Sequence, residues 1–157
     1  MAVAVLESLG GTHSAAMVVR LLTAFSLMAI CVVIHASGMT AALQKLRHFA
    51  ARTLSFWRST WLFITVAVWI VALHLVEISV WAIVYVWDGA IGDLQTAFYF
   101  SAVTYTTTGY GDVLLPVDWR FAGGVEALTG ILMCGWSTGF FFAIVASLHE
   151  QRVRIKT

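Results

Sequence analysis

The sequence predicts an all-α protein embedded in a membrane, and three observations carry that prediction. Of 157 residues, 61% are hydrophobic and only 11% are charged, whereas a water-soluble domain carries about 25% charge to keep its surface wet. Mean hydropathy is +0.89. The apolar residues are also gathered into three long runs, each able to supply the roughly 20 residues that cross a hydrocarbon core. In lipid every backbone polar group needs an internal partner, so continuous runs of this kind form helices.

The first run, Ala15 to Ala36, has Arg20 as its only formal charge. The second, Trp61 to Trp87, contains His74 and Glu77 and is longer than a bilayer requires, so it should tilt or protrude. Trp57, Trp61, Trp81, Tyr85 and Trp87 lie near its ends, as an interfacial aromatic belt does. The third run, about Gly123 to Leu148, is broken only by Glu126 near its start. Between the second and third lies Asp93 to Thr106, which as a helix reaches about 20 Å and cannot cross. Asp93 is a good N-cap for it, and a Thr- and Gly-rich run follows, the pattern of a re-entrant helix and loop.

Leu43, Leu46, Ala50, Leu54 and Trp57 recur at helical spacing with Lys45, Arg47, His48 and Arg52 between them. This predicts an amphipathic helix over residues 39–59, lying on the membrane surface. Lys45, Arg47, Arg52, Arg58, Arg152, Arg154 and Lys156 account for all but two of the nine Lys and Arg. The positive-inside rule places them, and so the C-terminus, in the cytoplasm, and three spans then leave the N-terminus outside. The opening MAVAVLESLGG lacks a basic n-region and is expected to be retained. Cys31 and Cys134 both fall in apolar runs and read as buried reduced thiols.

A net charge of +1 excludes an electrostatic nucleic-acid binder. There is no Ser–His–Asp set, no HExxH and no Cys/His metal spacing, and the five histidines are dispersed, so neither catalysis nor a small-molecule substrate is expected. No helix carries Arg or Lys at every third position, so a voltage sensor of the usual kind is also missing.

The chemistry concentrates in Thr104-Tyr105-Thr106-Thr107-Thr108-Gly109-Tyr110-Gly111-Asp112. Gly109 and Gly111 permit backbone angles that let successive carbonyls point one way, and the Thr107 hydroxyl extends the row. A ligand set made only of oxygens suits a hard cation stripped of water. The short helix directs the negative end of its dipole at such an ion, and Asp112 adds charge at the mouth. One chain supplies one side of a ring, which cyclic symmetry would close.

From Trp61 to Leu148 the chain resembles the potassium-channel pore family, in particular small bacterial channels in which two helices flank a pore loop. The resemblance rests on the short helix, TTTGYGD, the turn at Pro116 and the helix after it. It implies a homotetramer in a plasma membrane, as in a bacterial inner membrane, conducting K+ passively. Residues 1–38 are then an additional N-terminal spanning helix, residues 60–150 the pore domain (outer helix 60–87, pore helix and filter 93–112, inner helix 123–150) and residues 151–157 a basic tail. The carbonyls of Thr107, Thr108, Gly109 and Tyr110, with the Thr107 hydroxyl, are implied K+ ligands, and Gly111 completes the row. Tyr110 is expected to pack against Tyr99 and Phe100, which with Asp112 support the filter. Thr108 stands where the family usually has Val or Ile. A weakly selective cation pore and a non-conducting channel-like subunit therefore stay open as alternatives.

Gly130 falls where related channels place a hinge glycine, and close helix packing is the other reading of it. In that register Ile131, Cys134 and Thr138 line a cavity, and Phe142 forms a constriction at its inner end. His74 and Glu77, three residues apart, are able to pair, and Arg20 is expected near Glu77. With His149 and Glu150 beyond the inner helix, they are the candidate proton-sensing groups.

Overall fold

The computed structural model describes residues 2–49 and 56–154, with side chains described over 16–45 and 57–147. It is all-helical among these residues: α1 (Ala2–Phe49), α2 (Phe56–Trp87), α3 (Leu94–Tyr105), a short 3-10 turn (Val117–Trp119) and α4 (Arg120–Arg154). Three stretches are long and apolar enough to cross a membrane, Ala16–Lys45, Trp57–Trp87 and Val117–Ser147. The protein is thus an all-α membrane protein.

The basic segment expected to form its own surface helix instead continues α1 to Phe49; Ala50 to Ser55 lie outside the described residues. The only breaker in that stretch is Gly38, and one helical glycine costs about 1 kcal/mol against alanine. Gly38 has a packing use, because a Cβ there would collide with the Leu73 side chain. Its carbonyl also accepts the Trp69 Nε1 hydrogen bond at 3.1 Å.

α3 starts where its cap predicts. Asp93, in extended backbone, accepts from the Thr96 N–H at 2.8 Å, and this bond holds its carboxyl below the usual range. Pro116 (φ −50°, ψ 151°) ends the following loop, and the 3-10 turn runs directly into α4, three residues earlier than the apolar run suggested.

The chain divides into two compact units, one comprising Met1–Cys31 and Ile78–Ile131, the other Val32–Glu77 and Leu132–Thr157. In the first unit Trp81 and Tyr85, expected in an interfacial belt, are completely buried. The Tyr85 ring meets Phe100 and Trp119 edge-on, with centroids 5.5 and 5.4 Å away. Arg20 pairs with Asp88 here and lies 4.7 Å from the centroid of Trp119, whose Nε1 donates to the same carboxylate at 3.2 Å. The one formal charge of the first run is therefore neutralised locally. In the second unit Val66 and Ile144 form a core with Leu62, Phe63, Ile70, Phe140 and Phe141.

Candidate functional site

The loop after α3 is the first candidate. Thr107, Gly109 and Gly111 have φ of 59°, 56° and 76°, while Thr108 and Tyr110 between them do not take positive values. Such alternation of left- and right-handed residues presents successive main-chain groups to one side. Glycine adopts this backbone freely, but a β-branched residue does not, so Thr107 holds about 1–3 kcal/mol of strain that its surroundings must sustain. The sustaining bonds are visible. Thr107 N–H donates to the Thr104 carbonyl at 2.9 Å, and Thr108 and Gly109 N–H groups share the Val103 carbonyl at 2.9 and 3.2 Å. Thr106 Oγ1 donates to the Ala102 carbonyl at 2.7 Å and lies 2.9 Å from Thr108 Oγ1. The Thr108 hydroxyl is thereby engaged by the C-terminal end of α3. Residues Thr106 to Asp112 are all exposed on this chain.

At the far end of the loop, Tyr99 donates its hydroxyl to Asp112 Oδ2 at 2.7 Å, which raises the Tyr99 pKa above its usual value. Tyr99 and Phe100, with Val103 and Thr104, line a groove beside Gly109, Gly111 and Asp112. Tyr110 does not line that groove and is 71% exposed on this chain.

Behind the loop, a Cβ at Gly130 would collide with the Tyr105 carbonyl oxygen. Gly130 is therefore a close-packing position between α3 and α4. Beside it Glu126 is fully buried, and Tyr85 donates to its Oε2 at 2.8 Å. The carboxylate's other oxygen and the Ser101 hydroxyl beside it are both buried.

The second candidate lies in the other unit. His35 Nδ1 is 2.8 Å from Glu77 Oε1, and His74 Nδ1 is 3.5 Å from Glu77 Oε2. Ser137 Oγ lies 3.1 Å from His35 Nε2 and 3.2 Å from His74 Nε2. His35 and Glu77 are completely buried, and His74 retains 15% of its side-chain exposure. Their ligand atoms all lie within 4.8 Å of one another, a set able to hold a metal ion.

Residues 73–147 match a family model described as an ion channel. That match supports an ion-channel function in a lipid bilayer and points to transport rather than catalysis. It covers both candidate regions except His35. No curated protein and no solved structure matches the chain.

In and around the matched residues several expected residues fall together. Thr107 to Gly111 form one segment, with Asp112 and Tyr99 bonded at its end. Ile131, Cys134, Thr138 and Phe142 are each exposed, so Cys134 is not the buried thiol that was expected, whereas Cys31 is buried. His74 and Glu77 do meet, but Arg20 does not approach them, because Asp88 holds it. His35 takes the expected Arg20 position on Glu77. It was legible as an ionisable residue in an apolar run, the same signal that marks His74. His149 and Glu150 continue α4, and their side chains lie outside the described residues.

Proposed function

We propose that the protein is a homotetrameric potassium-selective channel, with the carbonyls of Thr107, Thr108, Gly109 and Tyr110 and the Thr107 hydroxyl as the ion's ligands. The observation that carries this reading is the alternation of φ at Thr107, Gly109 and Gly111, directly after a capped twelve-residue helix. Backbone of that kind is tolerated at membrane depth only where protein buries it or it lines a water-filled path. A row of carbonyls replaces the hydration shell of a monovalent cation without needing a charged ligand. The exposure of Thr106 to Asp112 on one chain supports a ring, since closure would cover both the row and the Tyr110 ring.

Thr108 is compatible with potassium selectivity in this reading, because its hydroxyl is taken up by Thr106 rather than pointed along the ligand row. The lysines and arginines near residues 45–58 and 152–156 place the C-terminus in the cytoplasm and the N-terminus outside. The exposed Ile131, Cys134 and Thr138 line the cavity, and Phe142 is its constriction. Protons modulate opening through His74 and Glu77, assisted by His149 and Glu150 at the cytoplasmic end.

The test is ion flux from liposomes holding the purified protein, under opposed potassium and sodium gradients with barium as blocker. Barium-sensitive flux driven by potassium alone is expected. Equal sodium and potassium flux would make it a weakly selective pore and implicate Thr108. No flux at internal pH 4, 6 or 8, with no potassium-dependent oligomer, would leave a non-conducting subunit.

A further inference from the structure

We propose that His35, His74 and Glu77 form a binding site for a divalent transition metal of the zinc class, with Ser137 orienting both imidazoles. The site belongs wholly to the unit comprising Val32–Glu77 and Leu132–Thr157 and draws on α1, α2 and α4. Its binding chemistry does not depend on the channel reading.

The argument begins with a count of hydrogens. Four contacts link the carboxylate, the two imidazoles and the serine hydroxyl, at 2.8, 3.5, 3.1 and 3.2 Å. A neutral imidazole has one ring N–H and a serine has one O–H. With Glu77 ionised and both rings neutral, holding both Nδ1 atoms to the carboxylate leaves Ser137 one hydrogen for two Nε2 acceptors, a conflict that either an extra proton or a cation relieves. A cation placed between the two Nδ1 atoms and the carboxylate removes the conflict. Both Nε2 atoms then carry the hydrogen, and Ser137 Oγ has two lone pairs to receive them. A ligating histidine that gives its other N–H to an oxygen acceptor is the usual outer-shell arrangement of a metal site.

The spacing and ligand types agree. A tetrahedral ion about 2.0–2.1 Å from each ligand atom separates those atoms by about 3.3 Å. The two Nδ1-to-carboxylate distances, 2.8 and 3.5 Å, bracket that value, so small side-chain adjustments suffice. Two imidazoles and one carboxylate are a known zinc donor set that leaves a fourth position open. Magnesium and calcium, which prefer oxygen cages, fit poorly. His35 and Glu77 are completely buried, and His74 retains 15% of its side-chain exposure. An ion here ties α1 to α2 through three side chains and braces Ser137 on α4. In the channel reading it would restrain the helix that carries Phe142.

The test is cobalt(II) titration of the chelator-stripped protein in detergent micelles, read by visible absorption, followed by zinc competition. The expected result is one cobalt per chain with the intense bands of a four-coordinate site, lost on adding zinc. His74→Gln and Glu77→Gln should each weaken binding at least tenfold. Ser137→Ala should weaken it about tenfold, as losses of outer-shell partners do. His74→Gln, partly exposed, tests the idea even if changes at His35 do not fold. Absence of these bands between pH 6 and 8, or bands unchanged in His74→Gln and Glu77→Gln, would overturn the proposal. Protonation without cobalt binding would overturn it too, leaving a cluster that holds only a proton. Because absorption reports binding directly, a protein that binds cobalt but passes no potassium would refute the channel reading alone.

Discussion

The unit that carries the TTGYG loop buries Glu126 and grips it with the phenol of Tyr85, 2.8 Å away. The other unit buries Glu77 and holds it with two imidazoles, His35 and His74. Both face the same difficulty, since a buried carboxylate in an apolar bundle is costly unless hydrogen-bonded. The difference lies in what the partner can do next. The Tyr85 phenol gives Glu126 one donor and offers no imidazole nitrogen to a metal ion. Two imidazoles beside a carboxylate can also take a metal ion, so the second clasp can change state. The comparison teaches that the loop's scaffold is built for constancy and the histidine cluster for response.

The largest expected effect lies in the constant region. Gly130→Val drives side-chain atoms into the Tyr105 carbonyl, backbone that cannot step aside. It should cost about 3 kcal/mol or more, read as a lowered melting temperature or loss of the folded protein in thermal unfolding. A freely tolerated Gly130→Val would contradict the close-packing reading of this position. Tyr85→Phe removes the one hydrogen bond to Glu126 Oε2 and should destabilise by about 1–3 kcal/mol. That loss should be equal in zinc-loaded and zinc-free samples, whereas Glu77→Gln should abolish any zinc-dependent rise in melting temperature. A zinc-dependent Tyr85→Phe effect would break the comparison.

Smaller effects follow. Arg20→Gln removes a partly exposed ion pair with Asp88 and should cost under about 1 kcal/mol, measured as a small downward shift in melting temperature. Asp93 is bound by the Thr96 N–H and its carboxyl is held below 3.8. Its contribution is present above pH 3.8 and disappears as pH falls through the lowered value. Asp93→Ala should therefore lower the melting temperature slightly at pH 7, by an amount that shrinks as the pH falls below 3.8.

The fold was largely legible because its determinants are local. Apolar runs, a capping aspartate and a breaking proline fixed α2, α3 and the start of α4 to within a few residues. The loop was legible for the same reason, because glycines at alternate positions state the backbone they need. What was hidden depends on residues far apart in the chain. His35 and Glu77 are 42 positions apart, and nothing in either run names the other. Periodic basic residues after Ala36 suggested a separate surface helix, but the single glycine there, Gly38, packs against Leu73 without breaking α1, which runs on. Trp81 and Tyr85 looked like interfacial aromatics, yet packing around Phe100 and Trp119 buries them.

The central claim is that Thr107 to Gly111 form a potassium-selective row. The most direct test is the reversal potential of the purified protein in a planar bilayer with potassium on one side and sodium on the other. The account predicts a reversal far toward the potassium equilibrium potential, with barium block. A reversal near zero with current present, meaning equal passage of sodium and potassium, would contradict it.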